Sequence, residues 1–399
     1  MTTMLYISYD GMLEPLGQSQ VLAYLKLLAV DRRIYLISFE RSTDWDDRSE
    51  RERIAKDVAD SGIVWHALRY HKSPTSLATA WDVSCGIVVA LWLVLRYRMG
   101  IVHARSYVPS VIALVVKRLT GAKYIFDMRG FWADEKVDGG SWPQGGFMYR
   151  LAKWFEKRFF MAADHVVSLT NAGVREISEF AYLKGCMPPI TVIPTCADLA
   201  RFAPLPRLEN GCFQGGFVLG YVGSVGTYYL FDKVVACFVR LLQIRPEARF
   251  LILNRGQHEY IREQLTAAGV PDSKLELSCA THAEMPGQMA RMDAGVFFIK
   301  PVFSKQASAP TKLAEFLGCG IPCLGNAGVG DMTEVLEGEK VGVALTSFDS
   351  DMMTVALRQL LQLAADPAIR LRCVATAHRH FSLDEGVKRY RNIYELLDI

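Results

Sequence analysis

The sequence predicts an α/β protein made of two doubly wound, Rossmann-like domains that face an interdomain cleft. Three observations predict it. Short apolar, β-branched runs alternate with longer helical patterns along the whole chain, which is the signature of parallel sheets covered on both faces. A stretch rich in proline and glycine, PTCADLARFAPLPRLENGCFQGG, interrupts the alternation near the middle and has no regular period. The 399 residues, 51% of them apolar, suffice for two domains with sizeable cores.

The elements follow in order. In the first half the runs MLYIS, RIYLISF, IVWHALR, GIVHA, KYIFDM, HVVSLT and ITVIPT read as strands. Helical periodicity falls over 18–29, 46–60, 75–98, 108–119 and 146–161. The domain boundary is expected within 198–215. After it, FVLGYVG, RFLILN, KLELSC, AGVFFI, PCLGN and VGVAL read as strands, with helices over 230–243, 259–268, 283–292, after Pro310 and near 331–337. The last stretch, FSLDEGVKRYRNIYELLDI, is a helix that Ser382 and Glu385 open as a capping box. The domains are therefore 1–198, rejoined by the helix over 382–399, and 199–381. Ligands of such sheets sit at the carboxyl ends of the strands, and a cleft between two of them is the natural site.

Composition excludes several classes. A net charge of +3 does not mark a nucleic-acid binder. The nine cysteines form no CxxC pair and mostly fall in apolar runs, as reduced thiols of a cytoplasmic protein do. No signal peptide is visible, since the opening MLYIS reads as a buried strand. The run VSCGIVVALWLVL is uncharged but shorter than a spanning helix. It is expected to be a buried core helix, with shallow membrane contact as the lesser alternative. The same alternative attaches to the basic, aromatic stretch GFMYRLAKWFEKRFFMAADH, whose first reading is a surface helix with one buried face.

Four stretches can carry chemistry. GYVGSVGT follows a strand, and Gly223 and Ser224 would bring backbone N–H groups to a phosphate. Its spacing is not that of a dinucleotide fingerprint, and the next strand ends at Asn254 without an acid for a ribose, which argues against an NAD-dependent enzyme. YDGMLEPLGQSQ is a long loop that places Gly17 and Gln18 at a helix start, with Asp10 and Glu14 as nearby carboxylates. FDMRGFWADEKVDGGSW sets Asp127 and Arg129 among aromatic residues at a strand end, a mixture suited to a sugar. KPVFSKQASAPTKLAE brings Lys300, Lys305 and Lys312 to a helix start, with Ser308 and Thr311 as hydroxyl donors. A diphosphate fits there, and Glu315, one turn in, can accept hydrogen bonds from vicinal hydroxyls. The triplet Asp349–Asp351 reads as a helix cap rather than a metal site.

With these residues the chain resembles a GT-B glycosyltransferase of family 4, the retaining, nucleotide-sugar-dependent group, over nearly its whole length. GMLEPLGQSQVLAYL resembles the family's N-terminal glycine loop, GYVGSVGT the opening of its C-terminal domain, SAPTKLAEFLGCGIPCLGN its donor-site helix, and FSLDEGVKRYRNIYELL its terminal helix. Glu315 matches the family's ribose-binding glutamate. An earlier glutamate of the pattern falls on Ala307, an arginine on Ser224, and a lysine near Tyr228 and Tyr229. Lys300, Lys305, Lys312 and Arg255 are expected to stand in for these on the diphosphate. The place of the family's sugar-side histidine falls around Asp127 to Arg129.

The resemblance implies sugar transfer from a nucleoside diphosphate to an acceptor hydroxyl, with retention, without a metal, and with no cofactor beyond the nucleotide-sugar substrate. Asp127, Arg129 and Lys312 are the expected catalytic residues. Gly17, Gln18, Gly223, Ser224, Arg255, Lys300, Lys305, Ser308, Thr311, Lys312 and Glu315 are the expected donor contacts. The expected acceptor is a glycan or lipid-linked glycan in polysaccharide assembly, the expected location the cytoplasm, with peripheral contact at the inner membrane as an option. Rival readings are a sugar-nucleotide epimerase or phosphorylase on the same fold, and a degenerate, non-catalytic membrane-associated assembly subunit.

Overall fold

In the computed structural model, which describes residues 2–206, 216–281 and 283–398, the alternation resolves into two parallel sheets. Part of the expected boundary (207–215, with Cys212) and His282 lie outside the described residues. The chain divides into two units, Met1–Pro194 with Leu383–Ile399, and Thr195–Ser382.

The first unit has strands β1 (Thr3–Ser8), β2 (Arg33–Glu40), β3 (Val64–Arg69), β4 (Ile101–Arg105), β5 (Lys123–Asp127), β6 (His165–Ser168) and β7 (Ile190–Val192) in the order β3-β2-β1-β4-β5-β6-β7. The order reverses between β1 and β4, so their carboxyl ends flank a switch point. The central strands are apolar throughout, because helices cover both faces. Helix α1 runs through Pro15–Gly17, a π-helical turn at Gln18–Leu22, and Ala23–Leu28; α2 is Arg48–Asp60. Helices α3 (Thr75–Tyr97), α4 (Tyr107–Thr120), α5 (Trp132–Asp138), α6 (Phe147–Ala162) and α7 (Asn171–Ser178) follow. Right-handed crossovers put α3, α4 and α6 on one face, opposite α1 and α2.

One expectation needs correction here. Helix α3 is not a core helix. It buries one stripe (Ala78, Asp82, Ala90, Leu93, Val94) and exposes another (Leu77, Trp81, Val88, Trp92, Leu95). The sheet and α4 cover one side of it only; an added Cβ at Gly86 would meet Ile112 Cδ1 at 2.5 Å. After Asp127 the chain forms α5, with Asp134 and Glu135 in its first turn, where the helix dipole favours acids.

The second unit has β8 (Val218–Val222), β9 (Arg249–Leu253), β10 (Leu275–Ser278), β11 (Ala294–Val296), β12 (Cys323–Asn326) and β13 (Gly342–Leu345), in the order β10-β9-β8-β11-β12-β13. Its helices are α8 (Phe231–Ile244), α9 (His258–Ala267), α10 (Met285–Met289), α11 (Thr311–Gly318), α12 (Ser350–Ala365) and α13 (Ile369–Phe381). The helix expected near 331–337 is a π-helical turn, Glu334–Gly338. Asp349 caps α12 by accepting from the backbone N–H groups of Asp351 and Met352, so the acidic triplet has a structural use.

The final helix, α14 (Leu383–Leu397), belongs to the first unit. Tyr390 and Tyr394 are buried, Arg391 pairs with Asp31, and Arg32 meets Asp398 at 2.8 Å.

Candidate functional site

In the second unit the switch point lies between β8 and β11. Gly223 directly follows β8 with φ at +106°, a left-handed conformation that favours glycine, and its N–H donates to Leu253 O at 2.9 Å. The chain then folds back beside the end of β11. Leu230 N–H donates to Phe298 O at 3.0 Å and Lys300 N–H to Tyr228 O at 2.9 Å. This sets Tyr228 and Tyr229 against the segment that leads to α11. Asn326 fixes that segment from below, with both its amide oxygen and its amide nitrogen bonded to the backbone of Ile299.

Lys312 is the second residue of α11 and is only 9% exposed. Its Nζ lies 3.7 Å from the Tyr229 ring centre, 5.1 Å from that of Tyr221 and 5.8 Å from that of Phe297. It has no hydrogen-bond partner. An added Cβ at Gly223 would sit 3.1 Å from it. Burial pushes the amine down to about 7, against the pull of Glu315. Burial likewise pushes the Glu315 carboxyl up to about 7, against Lys312. Lys305 is buried as well, with Nζ 3.7 Å above the Tyr228 ring. Pro310 precedes α11 as its cap and offers no side-chain acceptor; Leu313 N–H donates to its carbonyl at 3.1 Å, which leaves the N–H groups of Thr311 and Lys312 for another partner.

In the first unit, Asp127 ends β5 and is fully buried. Tyr390 OH donates to its Oδ2 at 2.9 Å, and His103 Nε2 lies 3.5 Å from the same oxygen. Arg129 Nη1 stands 4.0 Å from Oδ1. Burial raises the carboxyl, but Arg129, His103 and Arg105 together outweigh it and hold it at about 2. Arg129 and Gly130 both have positive φ, and this reversal turns the guanidinium back over Asp127. His103 is lowered by burial despite Asp127, and its Nδ1 meets Tyr394 OH at 2.7 Å. Arg105 Nε reaches Asp10 Oδ2 at 3.4 Å.

Residues 27–196 match the family model described as a glycosyl transferase 4-like domain. The chain carries a glycosyl transferase 4-like domain on a GT-B fold. By that domain it is a transferase enzyme. Among solved structures it is similar to a glycosyltransferase from Rickettsia africae ESF-5, with a TM-score of 0.73, 14% identity, and coverage of 99% of this chain and 98% of that one. It is similar to sucrose-phosphate synthase from Thermosynechococcus elongatus, with a TM-score of 0.71, 13% identity, and coverage of 100% and 99%. It is also similar to Anabaena HepE in complex with UDP and glucose, with a TM-score of 0.68, 14% identity, and coverage of 99% and 100%. No curated protein matches the chain.

The second unit thus brings Gly223, Lys312, Glu315 and Thr311 together at one switch point, with Lys305 nearby. Lys300 follows β11 and is half-buried, as is Ser308 before α11. Ser224 is exposed, and its carbonyl accepts from Tyr221 OH at 2.6 Å. Arg255 is exposed at the end of β9 and turns to Ala280 O at 3.4 Å. Ala307 is wholly buried.

In the first unit Gly17 packs on the backbone of Gly11, where an added Cβ would come within 2.0 Å of the Gly11 oxygen. The loop between them is held from Glu40, which accepts from Met12 N–H at 2.8 Å and Leu13 N–H at 3.2 Å. Gln18 Nε2 donates to Leu13 O at 3.3 Å and Glu50 Oε1 at 3.2 Å, so its amide serves the α1–α2 junction. Glu14 pairs with Arg41 at 3.0 Å, and burial raises its carboxyl against that pairing.

Sequence reasoning missed His103, Arg105, Tyr390 and Tyr394. A signal was present. In GIVHARS, His103 and Arg105 are two residues apart and share one strand face, and Arg105 is the register neighbour of Asp127.

Proposed function

We propose that this transferase moves a glycosyl group from a nucleoside-diphosphate sugar to an acceptor hydroxyl, with retention and without a metal, in the cytoplasmic assembly of a polysaccharide or lipid-linked glycan. The observation that carries the donor reading is Lys312, a buried amine with no hydrogen-bond partner, boxed by aromatic rings beside the turn at Gly223. An anion completes that arrangement, because it would supply the charge that burial has stripped from the lysine's surroundings. The Anabaena HepE complex with UDP supports a nucleotide as that anion.

In this reading the diphosphate sits on Gly223, the first turn of α11 and Lys312, with Lys305 and Lys300 at the rim and Ser308 and Thr311 as hydroxyl donors. Glu315 takes the ribose hydroxyls. As the glycosidic bond breaks, positive charge grows on the sugar ring and negative charge on the leaving diphosphate. The preorganised cation and N–H groups stabilise the second of these. A phosphate oxygen takes the acceptor proton, so no separate base is required. Asp127 is too acidic and too enclosed to serve as one; it holds Arg129 and His103 in place at the carboxyl edge of the first sheet. The free thiols of all eight described cysteines suit a reducing compartment.

Calorimetric titration with UDP, GDP and ADP tests the reading. One of them should bind, and Glu315→Ala should weaken that binding. Failure of all three to bind would favour a non-catalytic assembly subunit, to which the buried Ala307 in place of a glutamate also points. Acceptor-independent epimerisation or phosphorolysis of the matching sugar nucleotide would favour the rival enzymes.

A further inference from the structure

We infer that the face of the first unit built from α3, α4 and α6 docks on an anionic membrane surface. The three helices lie side by side, and each exposes large apolar side chains. On α3, Leu77, Trp81, Val88, Trp92 and Leu95 recur at helical spacing on one stripe, with Trp81 61% and Trp92 54% exposed. Leu119 extends the surface on α4, and Phe147, Leu151, Trp154 and Met161 extend it on α6. An apolar recess of about 120 Å³ opens among them, lined by Val111, Trp132, Trp142, Met148 and Phe155.

Charge identifies the occupant. The three helices contain two acids, Asp82 and Glu156, and both are buried. Asp82 is used by Tyr9 and His71, and Glu156 by Tyr107 and Lys153. The exposed charges are cations: Arg96, Arg118, Arg150 and Lys157, with Arg98 just beyond α3. None of them is within ion-pair distance of a carboxylate among the described residues. Helix α2, on the opposite face, carries mixed charge (RSERERIAKDVAD). The surface that these three helices share therefore carries unpaired cations around its exposed tryptophans, in a chain whose net charge is only +3. Tryptophan seats at the headgroup level and cations meet anionic lipid, whereas a second copy of the same face would bring like charges together. Helix α3 is long and apolar enough to cross a bilayer, but its buried stripe is committed to the sheet and α4, so it lies along the surface.

Vesicle flotation of the full chain tests this, with neutral phosphatidylcholine and with the same lipid carrying roughly a third phosphatidylglycerol. The chain should float with the anionic vesicles and be released by salt. Arg150→Gln with Lys157→Gln should cut partitioning about fivefold per charge. Trp81→Gln with Trp92→Gln should cut it by about tenfold or more. Both pairs should leave nucleotide binding and the thermal midpoint unchanged, which separates this test from the donor reading. Equal flotation with neutral vesicles would overturn the proposal. So would an absence of flotation combined with self-association by light scattering that the tryptophan variants abolish, which would make the face an interface between copies.

Discussion

The Lys312 ammonium rests 3.7 Å from the centre of the Tyr229 ring and donates to nothing. A cation so placed gains from the ring face, but less than it loses by leaving water without an anion. Its folded-state pKa of about 7 lies below the ordinary lysine value of 10.5. The sign follows: such a lysine lowers stability most below about pH 7, and the loss fades as pH rises toward the unfolded value. Lys312→Met should therefore stabilise the free protein at neutral pH, by on the order of 1 kcal/mol or more, while turnover falls by about 10²-fold or more. Scanning calorimetry beside kinetics checks both. A less stable, fully active variant would remove Lys312 from the donor site.

Nucleotide affinity should be bell-shaped around pH 7. A diphosphate on Lys312 raises that amine's pKa, so binding takes up a proton and weakens as pH climbs above about 7. Ribose hydroxyls on Glu315 favour its ionised form, so binding strengthens as pH rises toward about 7 from below. Glu315→Gln should erase the acid limb and Lys312→Arg the alkaline limb, since arginine stays charged throughout. Titrations at several pH values in buffers of different ionisation enthalpy give both limbs and the proton count.

Gly223 is where the backbone itself can be tested. Alanine there is strained at φ +106° and places a methyl group 3.1 Å from Lys312 Nζ. Gly223→Ala should lose roughly 1–3 kcal/mol of stability. It should also weaken nucleotide binding, because the lysine must move. Gly226→Ala is the control: its φ is +95°, yet nothing lies within 4 Å of the added carbon. Strain alone should lower its stability and leave affinity nearly unchanged.

The donor half of the site was legible because its chemistry is local. Pro310, Thr311, Lys312 and Glu315 follow one another at a helix start, and alternating strands and helices place that start at the carboxyl edge of a sheet. What stayed hidden depends on neighbours distant in sequence. Tyr229 reads as a residue standing where a cation was expected, and only the fold-back beside β11 shows that it seats Lys312. Tyr390 and Tyr394 read as core positions of a terminal helix, which they are, but their hydroxyls also reach Asp127 and His103. Helix α3 misled because an apolar run has the same composition whether it is covered on one side or on both.

The buried carboxylate of Asp127 can be tested in isolation, because all seven tryptophans lie in the first unit and their fluorescence follows that unit alone. Its pKa of about 2 is below the ordinary 3.8, so it adds stability that is full above about pH 4 and is lost as pH falls toward 2. Asp127→Asn should abolish that acid-side loss. At neutral pH the variant should be less stable by about 3–5 kcal/mol, because Arg105 and Arg129 remain enclosed without their shared anion. Tyr390→Phe removes one donor to Asp127 and keeps the charge, and should cost about 1–3 kcal/mol. If Asp127 acts by holding Arg129, Tyr390→Phe should keep most of its kcat and Asp127→Asn should not. Equal losses of kcat in the two variants, with nucleotide affinity intact, would mean that the Tyr390 hydroxyl itself takes part in the reaction.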